Sequence, residues 1–315
     1  MNEKLWAVLF KVESSEGVDA APVIGSDLIN TGVPQVSPEV KQLERNHPQS
    51  GFGKPTAINI GEKIKVSFSM ELEADWAAST DTAPSIGKVL RCCYFTETIT
   101  TGNYINYQNN SALAKETATI WVYKDGLLRK VTGCVGEVKS SMLAGDKITF
   151  EFEFTGRYVD GYATDATFPT FTVSLSDVVI FQNAAVAIGS HTSPMIQNMN
   201  WAMNNSIDAR PDANSDKGIY SLLATNAAPT CSADPELVAL STFNAFSAWE
   251  ASSLVTLSAQ LKNPNTAAHK CTLTMNNMQY KEIGDAARVG LLTYDLNFEC
   301  GGDADVSFKF EGDAS

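Results

Sequence analysis

The sequence predicts a mainly β fold made of two tandem β-sandwich or barrel-like domains, each with one α-helix. Three observations predict it: long runs of alternating apolar and polar residues, only two segments with helical periodicity, and a second half that repeats the order of elements in the first. Alternation with a period of two places apolar side chains on one strand face and polar side chains on the other. Such strands are typical of antiparallel sheets with one solvated face.

The clearest alternating runs lie near residues 63–73, 147–155 and 291–299. In the second run, Phe150 and Phe152 alternate with threonine and glutamate. Long strands of this kind expose unpaired edges that invite further pairing, and closing a sheet into a ring removes those edges. We therefore expect subunits to join edge to edge, so that the barrel closes on oligomerisation.

Helical signals are confined to residues 83–95 and 234–253. The first segment has a proline near its start and an apolar stripe, and the second opens with Asp234 and with Pro235 at the first helical position. The residues expected to form the buried face of the second helix are Leu237, Leu240, Phe243 and Trp249.

The two halves repeat in pattern and order with an offset of about 145 residues, although the letters differ. Residues 150–154 align with 294–298, for example. The predicted domains are residues 1–160, which include an N-terminal arm, and residues 172–315, joined by a linker at about 158–172.

The composition excludes several classes of function. Lys and Arg total 23 against 36 Asp and Glu, for a net charge of −13, which opposes gripping DNA because such binding comes mainly from basic residues. The chain has three histidines, and its six cysteines lack metal-ligand spacing, so we expect buried thiols and neither metal nor cofactor. P-loop, dinucleotide-binding and hydrolase-elbow motifs are missing from the sequence, so we do not expect an enzyme.

The start of the chain predicts neither export nor a membrane anchor. Its first apolar run, Leu5 to Phe10, is too short for the core of a signal peptide or a membrane span. We therefore expect no membrane partner and a chain that is made and kept in a cytoplasm until assembly.

Several stretches together resemble the tail tube proteins of long-tailed, siphovirus-like bacteriophages, of the two-domain type. They are EGVDAAP at 16–22, LRCCYFTET at 90–98, ATIWVYKDG at 118–126, FEFEFTGRY at 150–158 and SIDARP at 206–211. The resemblance spans nearly the whole chain and depends on the ensemble rather than on any one motif. We expect no added surface domain of the immunoglobulin type after the second copy.

The resemblance implies a structural role in the virion. Each domain would supply four strands to a tube wall, and trimeric, pseudo-hexameric rings would stack into a non-contractile tail that conducts genomic DNA without binding it specifically. The partners implied are further copies of the chain and the tape measure, terminator and distal tail proteins.

The polar face of the wall strands is expected to line the bore, since a water-filled channel would expose phenylalanines only at a large cost in free energy. The residues predicted to face the bore are Lys63, Lys65, Glu71, Lys147, Glu151, Glu153, Asp295, Asn297 and Glu299.

Contacts between rings or subunits are expected from the N-terminal arm at 2–22 and the polar loops at 44–56 and 208–218. The residues predicted for these contacts are Arg45, His47, Arg210, Asp212 and Asp216. A β-sandwich adhesin or tail-tip binding module is the alternative function. A hydrolase that uses carboxylates such as Glu151 and Glu153 is a third hypothesis, weakened because the sequence shows no other feature of a sugar cleft.

Overall fold

The computed structural model confirms the mainly β class. It describes residues 2, 4–45, 47, 51–53, 56–110, 115–159, 161–215, 217–265, 269–300 and 305–312. The strands of the first half are β1 Trp6–Val12, β2 Leu28–Ile29, β3 Gln35–Leu43, β4 Ile58–Glu71, β5 Phe95–Thr100, β6 Tyr104–Asn109, β7 Ala118–Lys124, β8 Leu127–Leu143, β9 Thr149–Arg157 and β10 Ala163–Asp165. Those of the second half are β11 Ala187–Ile188, β12 His191–Thr192, β13 Asn198–Ala202, β14 Asn205–Pro211, β15 Ile219–Ala227, β16 Thr230–Ala233, β17 Val255–Lys262, β18 Lys270–Arg288, β19 Leu291–Cys300 and β20 Val306–Glu311.

One broad antiparallel surface of eight strands dominates the fold. Its order is β3-β4-β9-β8 from the first half, followed by β13-β16-β19-β18 from the second. Each half contributes two hairpins in the same arrangement, and β8 pairs with β13 where the halves meet. We call this surface the eight-stranded sheet. It does not close on itself within one chain, so β3 and the end of β18 form its two lateral edges.

The core lies on one face of the eight-stranded sheet. Phe150 and Phe152 are 1% and 2% exposed, which fits the expectation that the phenylalanines point away from solvent. The Phe150 ring lies 5.7 Å from Trp201 and 5.6 Å from Phe308, both from the second half. The buried apolar residues of the two halves therefore form one continuous cluster.

A second layer covers this apolar face, and two long strands run through both layers. The start of β8 pairs with β7, and its end joins the eight-stranded sheet; β18 does the same with β17. Both bend at a residue in the left-handed region, Gly133 with φ 61° and Asn277 with φ 51°. Glycine and asparagine are the residues that adopt this conformation most readily, so the sequence permits the bend at both places.

The C-terminal strand ties the halves together. β20 lies between β18 of its own half and β6 of the first half. The segment predicted as a linker is also held, since β10 pairs with β8. Further along the chain, the amides of Ala74 and Ile148 donate to the carbonyls of Asp177 and Val179, at 2.7 and 3.0 Å.

The helix predictions were largely wrong in extent. The helices are α1 Ile24–Asp27, α2 Gly87–Arg91 and α3 Ala245–Glu250, so helix occupies only parts of 83–95 and 234–253. Phe243 is buried as expected, whereas Leu237, Leu240 and Trp249 are between 41% and 56% exposed. Residues 235–237 run instead along the start of β19, where the amide of Leu237 donates to the carbonyl of Leu292. Pairing with a strand prevails here over the proline start signal.

Much of the predicted N-terminal arm is a structural strand. β1 pairs with β7 along its whole length, and Ala7 to Phe10 are at most 3% exposed. Glu13 then accepts hydrogen bonds from the hydroxyls of Thr117 and Thr119 at 2.7 and 2.8 Å, and from the amide of Gly133 at 2.8 Å. Residues 6–13 are therefore fixed in the subunit rather than free to reach another ring.

Replacing Glu13 with alanine is expected to lower the free energy of unfolding by about 2 kcal/mol, because Thr117 and Thr119 are buried and would lose their acceptor. Chemical denaturation followed by circular dichroism measures the loss. Glu16→Ala is the matched control, since Glu16 lies on the same segment and its contact is one partly exposed ion pair with Lys115. Equal effects of the two substitutions would contradict the anchoring role of Glu13.

Candidate functional site

The predicted bore-facing residues come together on the face of the eight-stranded sheet opposite the core. Those in strands alternate with buried residues of the same strand, as the pleat requires. They are Lys63, Lys65, Glu71, Glu151, Glu153, Asp295, Asn297 and Glu299. Lys147 lies in the turn between β8 and β9 and pairs with Glu71. We call this surface the polar face.

The polar face extends over strands that the sequence analysis left unassigned. β8 contributes Glu137 and Lys139, β3 contributes Glu39, and β18 contributes Lys281 and Glu282. The alternation in β8 was available as a signal, but Ser140, which bonds the carbonyl of Thr149 from inside, blurs it. In β18, the register shift between Tyr280 and Glu282 interrupts the period of two.

Ion pairs neutralise most of the lysines on this face. The ammonium of Lys65 lies 3.1 Å from Glu39 and 3.0 Å from Glu153, and its pKa is raised, chiefly by the hydrogen bond to Glu153. Lys139 and Lys281 pair with carboxylates on neighbouring strands, at 3.3 and 3.1 Å. Pairs this exposed contribute little stability, but they hold the lysines along the sheet.

The polar face is acidic overall. Among the carboxylates and lysines that the structure describes there, eight carboxylates outnumber five lysines, an excess of three negative charges per chain. The carboxylates belong to Glu39, Glu71, Glu137, Glu151, Glu153, Glu282, Asp295 and Glu299, and the lysines are Lys63, Lys65, Lys139, Lys147 and Lys281. A surface of this sign repels a polyanion instead of holding it.

The ionised form of Glu137 is disfavoured within this face. Partial burial raises the pKa of its carboxyl above the ordinary 4.5, and the charge of Glu153 opposite adds to the effect. A raised carboxyl pKa means that the folded state binds the proton more tightly than the unfolded state does. Its contribution to stability is therefore present at low pH and is lost as the pH rises through the folded value.

Glu137→Gln is accordingly expected to stabilise the protein at neutral pH and to flatten the loss of stability that the wild type shows above about pH 4.5. Melting temperatures measured between pH 4 and pH 8 give the comparison. Glu299→Gln is the matched control, because that residue has a lysine partner at 3.1 Å. A wild type and a Glu137→Gln variant with parallel pH profiles would rule out this role for Glu137.

The residues predicted to make contacts between rings or subunits lie at one end of the eight-stranded sheet. Arg45 and His47 follow β3 and are exposed, and Arg210 near the end of β14 lies over the ring of Tyr220. Asp212 accepts bonds from Asn214, which lower the pKa of its carboxyl. Asp216 lies outside the described residues. The structure thus places Arg45 and Arg210 alike, at the tips of equivalent hairpins, and their role stays a prediction.

The described residues contain no group of three or more His, Cys, Asp or Glu side chains that could hold a metal ion. None of the helices in the described part of the chain has the length and apolar character needed to span a bilayer.

All six cysteines are buried and free, and burial raises the pKa of each thiol, that of Cys300 to about 12. The polar face is a broad surface of paired charges.

Comparison with known proteins identifies the family of the chain. No curated protein matches the chain. One family model, described as phage tail tube protein, matches residues 7–314. The match covers nearly the whole chain and includes both halves of the eight-stranded sheet. The chain therefore belongs to the phage tail tube protein family, and it is a structural tail tube subunit of a virion.

Proposed function

We propose that three copies of the chain join edge to edge into a closed ring and that stacked rings form a non-contractile tail tube of the siphovirus type. In this proposal each half is one tail-tube domain, so the ring is pseudo-hexameric. The observation that carries it is the eight-stranded sheet, with two equivalent sets of four strands, one polar face and an open edge on either side. Closure removes both edges, which are otherwise prone to uncontrolled pairing.

The dimensions suit DNA. Three sheets of eight give 24 strands, and with a spacing of about 4.8 Å and a tilt of about 45° the barrel is roughly 50 Å across. Inward side chains leave a bore of roughly 40 Å on the same estimate, which is wider than a DNA duplex. The bore would conduct the genome during infection without a specific contact to any base.

The charge of the polar face supports passage rather than retention. Its net negative sign repels phosphate, and the paired lysines are less available to bind it. Repeated along stacked rings, this surface would let DNA slide.

Stacking would use the two ends of the sheet. At one end lie Arg45, His47, Arg210 and Asp212. At the other end lie the exposed side chains of Val289, in the turn between β18 and β19, and of Leu291, at the start of β19. Distinct ends favour head-to-tail contacts, which propagate into filaments. Tape measure, terminator and distal tail proteins would meet the same surfaces at the limits of the tube.

Assembly tests the proposal. The purified protein, concentrated, should show hollow rings and tubes in negative-stain micrographs, and light scattering should give a species of three chains before stacking. A protein that stays monomeric at high concentration and binds a cell surface would instead indicate the adhesin or tail-tip module.

A further inference from the structure

The pairing between the two halves gives a template for the pairing between two copies. At the internal junction, Asn200 lies opposite Ser141 and Trp201 opposite Ser140, and the amide of Met203 donates to the carbonyl of Val138 at 3.0 Å. β8 is the last strand of the first set of four, and β13 is the first strand of the second set. The two open edges occupy equivalent positions. The end of β18 is the last strand of the second set, as β8 is of the first, and β3 is the first strand of the first set, as β13 is of the second.

The register of the sheet fixes which residues correspond on the β3 side. Val66 and Cys231 are equivalent because they lie opposite Phe154 and Phe298, at matching places in β9 and β19. Their partners in the next strand are Val36 and Trp201, so Val36 takes the place of Trp201. It follows that Gln35 takes the place of Asn200.

The same reasoning applies to the β18 side. Ser140 lies opposite Phe150 in the first half, and Asp285 lies opposite Tyr294 in the second. Asp285 therefore takes the place of Ser140, and Ala286 takes the place of Ser141.

We propose that β18 of one copy pairs antiparallel with β3 of a second copy in one register, with Asp285 opposite Val36 and Ala286 opposite Gln35. This inference rests on the proposed ring and adds its residue-level joint. Residues 283–287 and 35–39 have a ladder partner on one side alone within the described chain, so both edges are available. The partner is a second copy, because the joint repeats one that the chain already makes within itself.

Prolines in the open edge of β3 limit which strands can pair with it. Successive backbone nitrogens along a strand point to opposite sides. The nitrogens of Pro34, Val36 and Pro38 therefore all point to the same side, the open edge of β3. Proline has no amide hydrogen, and of these three positions Val36 alone can donate. Two β3 edges would offer each other few donors, whereas β18 supplies amides from Ile283, Asp285 and Ala287 to the carbonyls of β3. The edge thus disfavours pairing with itself and favours pairing with β18.

Engineered cysteines test the register. In the double variant Gln35→Cys, Ala286→Cys the two thiols of adjacent copies would face each other on the solvated side, within the reach of a disulfide. Mild oxidation of assembled protein should convert most chains into covalent species of two and three on a non-reducing gel. The six native cysteines are buried, so background cross-linking should be low.

Two controls make the result specific. Asn200→Cys with Ser141→Cys places the same pair at the internal junction, where the native side chains touch at 2.5 Å, and should close within one chain. Ser37→Cys with Ala286→Cys is shifted by two residues on the same face and should cross-link at least tenfold more slowly. Assemblies that form but cross-link best in the shifted pair, or not at all while the internal control closes, would overturn the register and leave the ring standing. A protein that never assembles would overturn both.

Discussion

Replacing Phe150 with alanine is expected to lower the free energy of unfolding by about 3–5 kcal/mol, because the ring fills the place where the two halves meet. Its neighbours are Trp201, Phe308 and Phe152, with ring centroids 5.7, 5.6 and 6.4 Å away. The cavity would therefore loosen β9, β13 and β20 together. Urea denaturation followed by tryptophan fluorescence measures the change.

Glu151→Ala is the matched control for Phe150→Ala. It removes the next side chain in the same strand, but from the polar face, where the Glu151 side chain is 59% exposed and pairs with Lys139. We expect a loss of about 0.5 kcal/mol or less. If Phe150→Ala cost no more than this control, the packing of the two halves on one core would be wrong.

Charge reversal on the polar face is expected to block DNA transit without preventing assembly. Glu151→Lys with Glu153→Lys changes the described charge of this face from three negative to one positive per chain, and every ring repeats the change. Basic residues neutralise phosphates and release counterions, so DNA would adhere to the bore. Phage carrying the variant should have tails of normal length and infectivity reduced by orders of magnitude, with DNA ejection stalled.

The neutral pair Glu151→Gln with Glu153→Gln separates charge from shape. It leaves the face with a net negative charge, so ejection should be close to that of the wild type. Micrographs of both variants report on assembly. Lysine variants that eject DNA normally, or that fail to form tubes, would contradict the assignment of this face to the bore.

The sequence was sufficient to predict the mainly β class and the alternation that forms the polar face, and insufficient to predict the connections between strands. The alternation around Phe150 follows from the pleat of a single strand. It therefore assigns Glu151 and Glu153 to one face without any knowledge of which strands lie on either side. The repeat was harder to read. Residues 150–154 match 294–298 at an offset of 144, whereas Val66 and Cys231 are 165 apart, because the halves differ in the length of the segments between their hairpins.

The errors at β1 and at 234–253 have a common physical origin. β1 has few residues and polar neighbours, and only its partner β7 shows that it is buried. The segment that begins at Pro235 carries helix-start signals, yet long-range pairing with β19 decides its conformation. Tertiary contacts of this kind leave no periodic signal in the local sequence.

The position of β20 bears on how the subunit is made. Synthesis delivers the first half early, and β6 can then pair with β5, but its second neighbour is complete only when residues 306–311 have been translated, about 200 residues later. Pairing over such a distance is slow, and the unfinished chain leaves apolar surface uncovered. A ribosome that stops early therefore releases a chain that cannot complete its core. We therefore expect a chain that lacks β20 to be excluded from assembly.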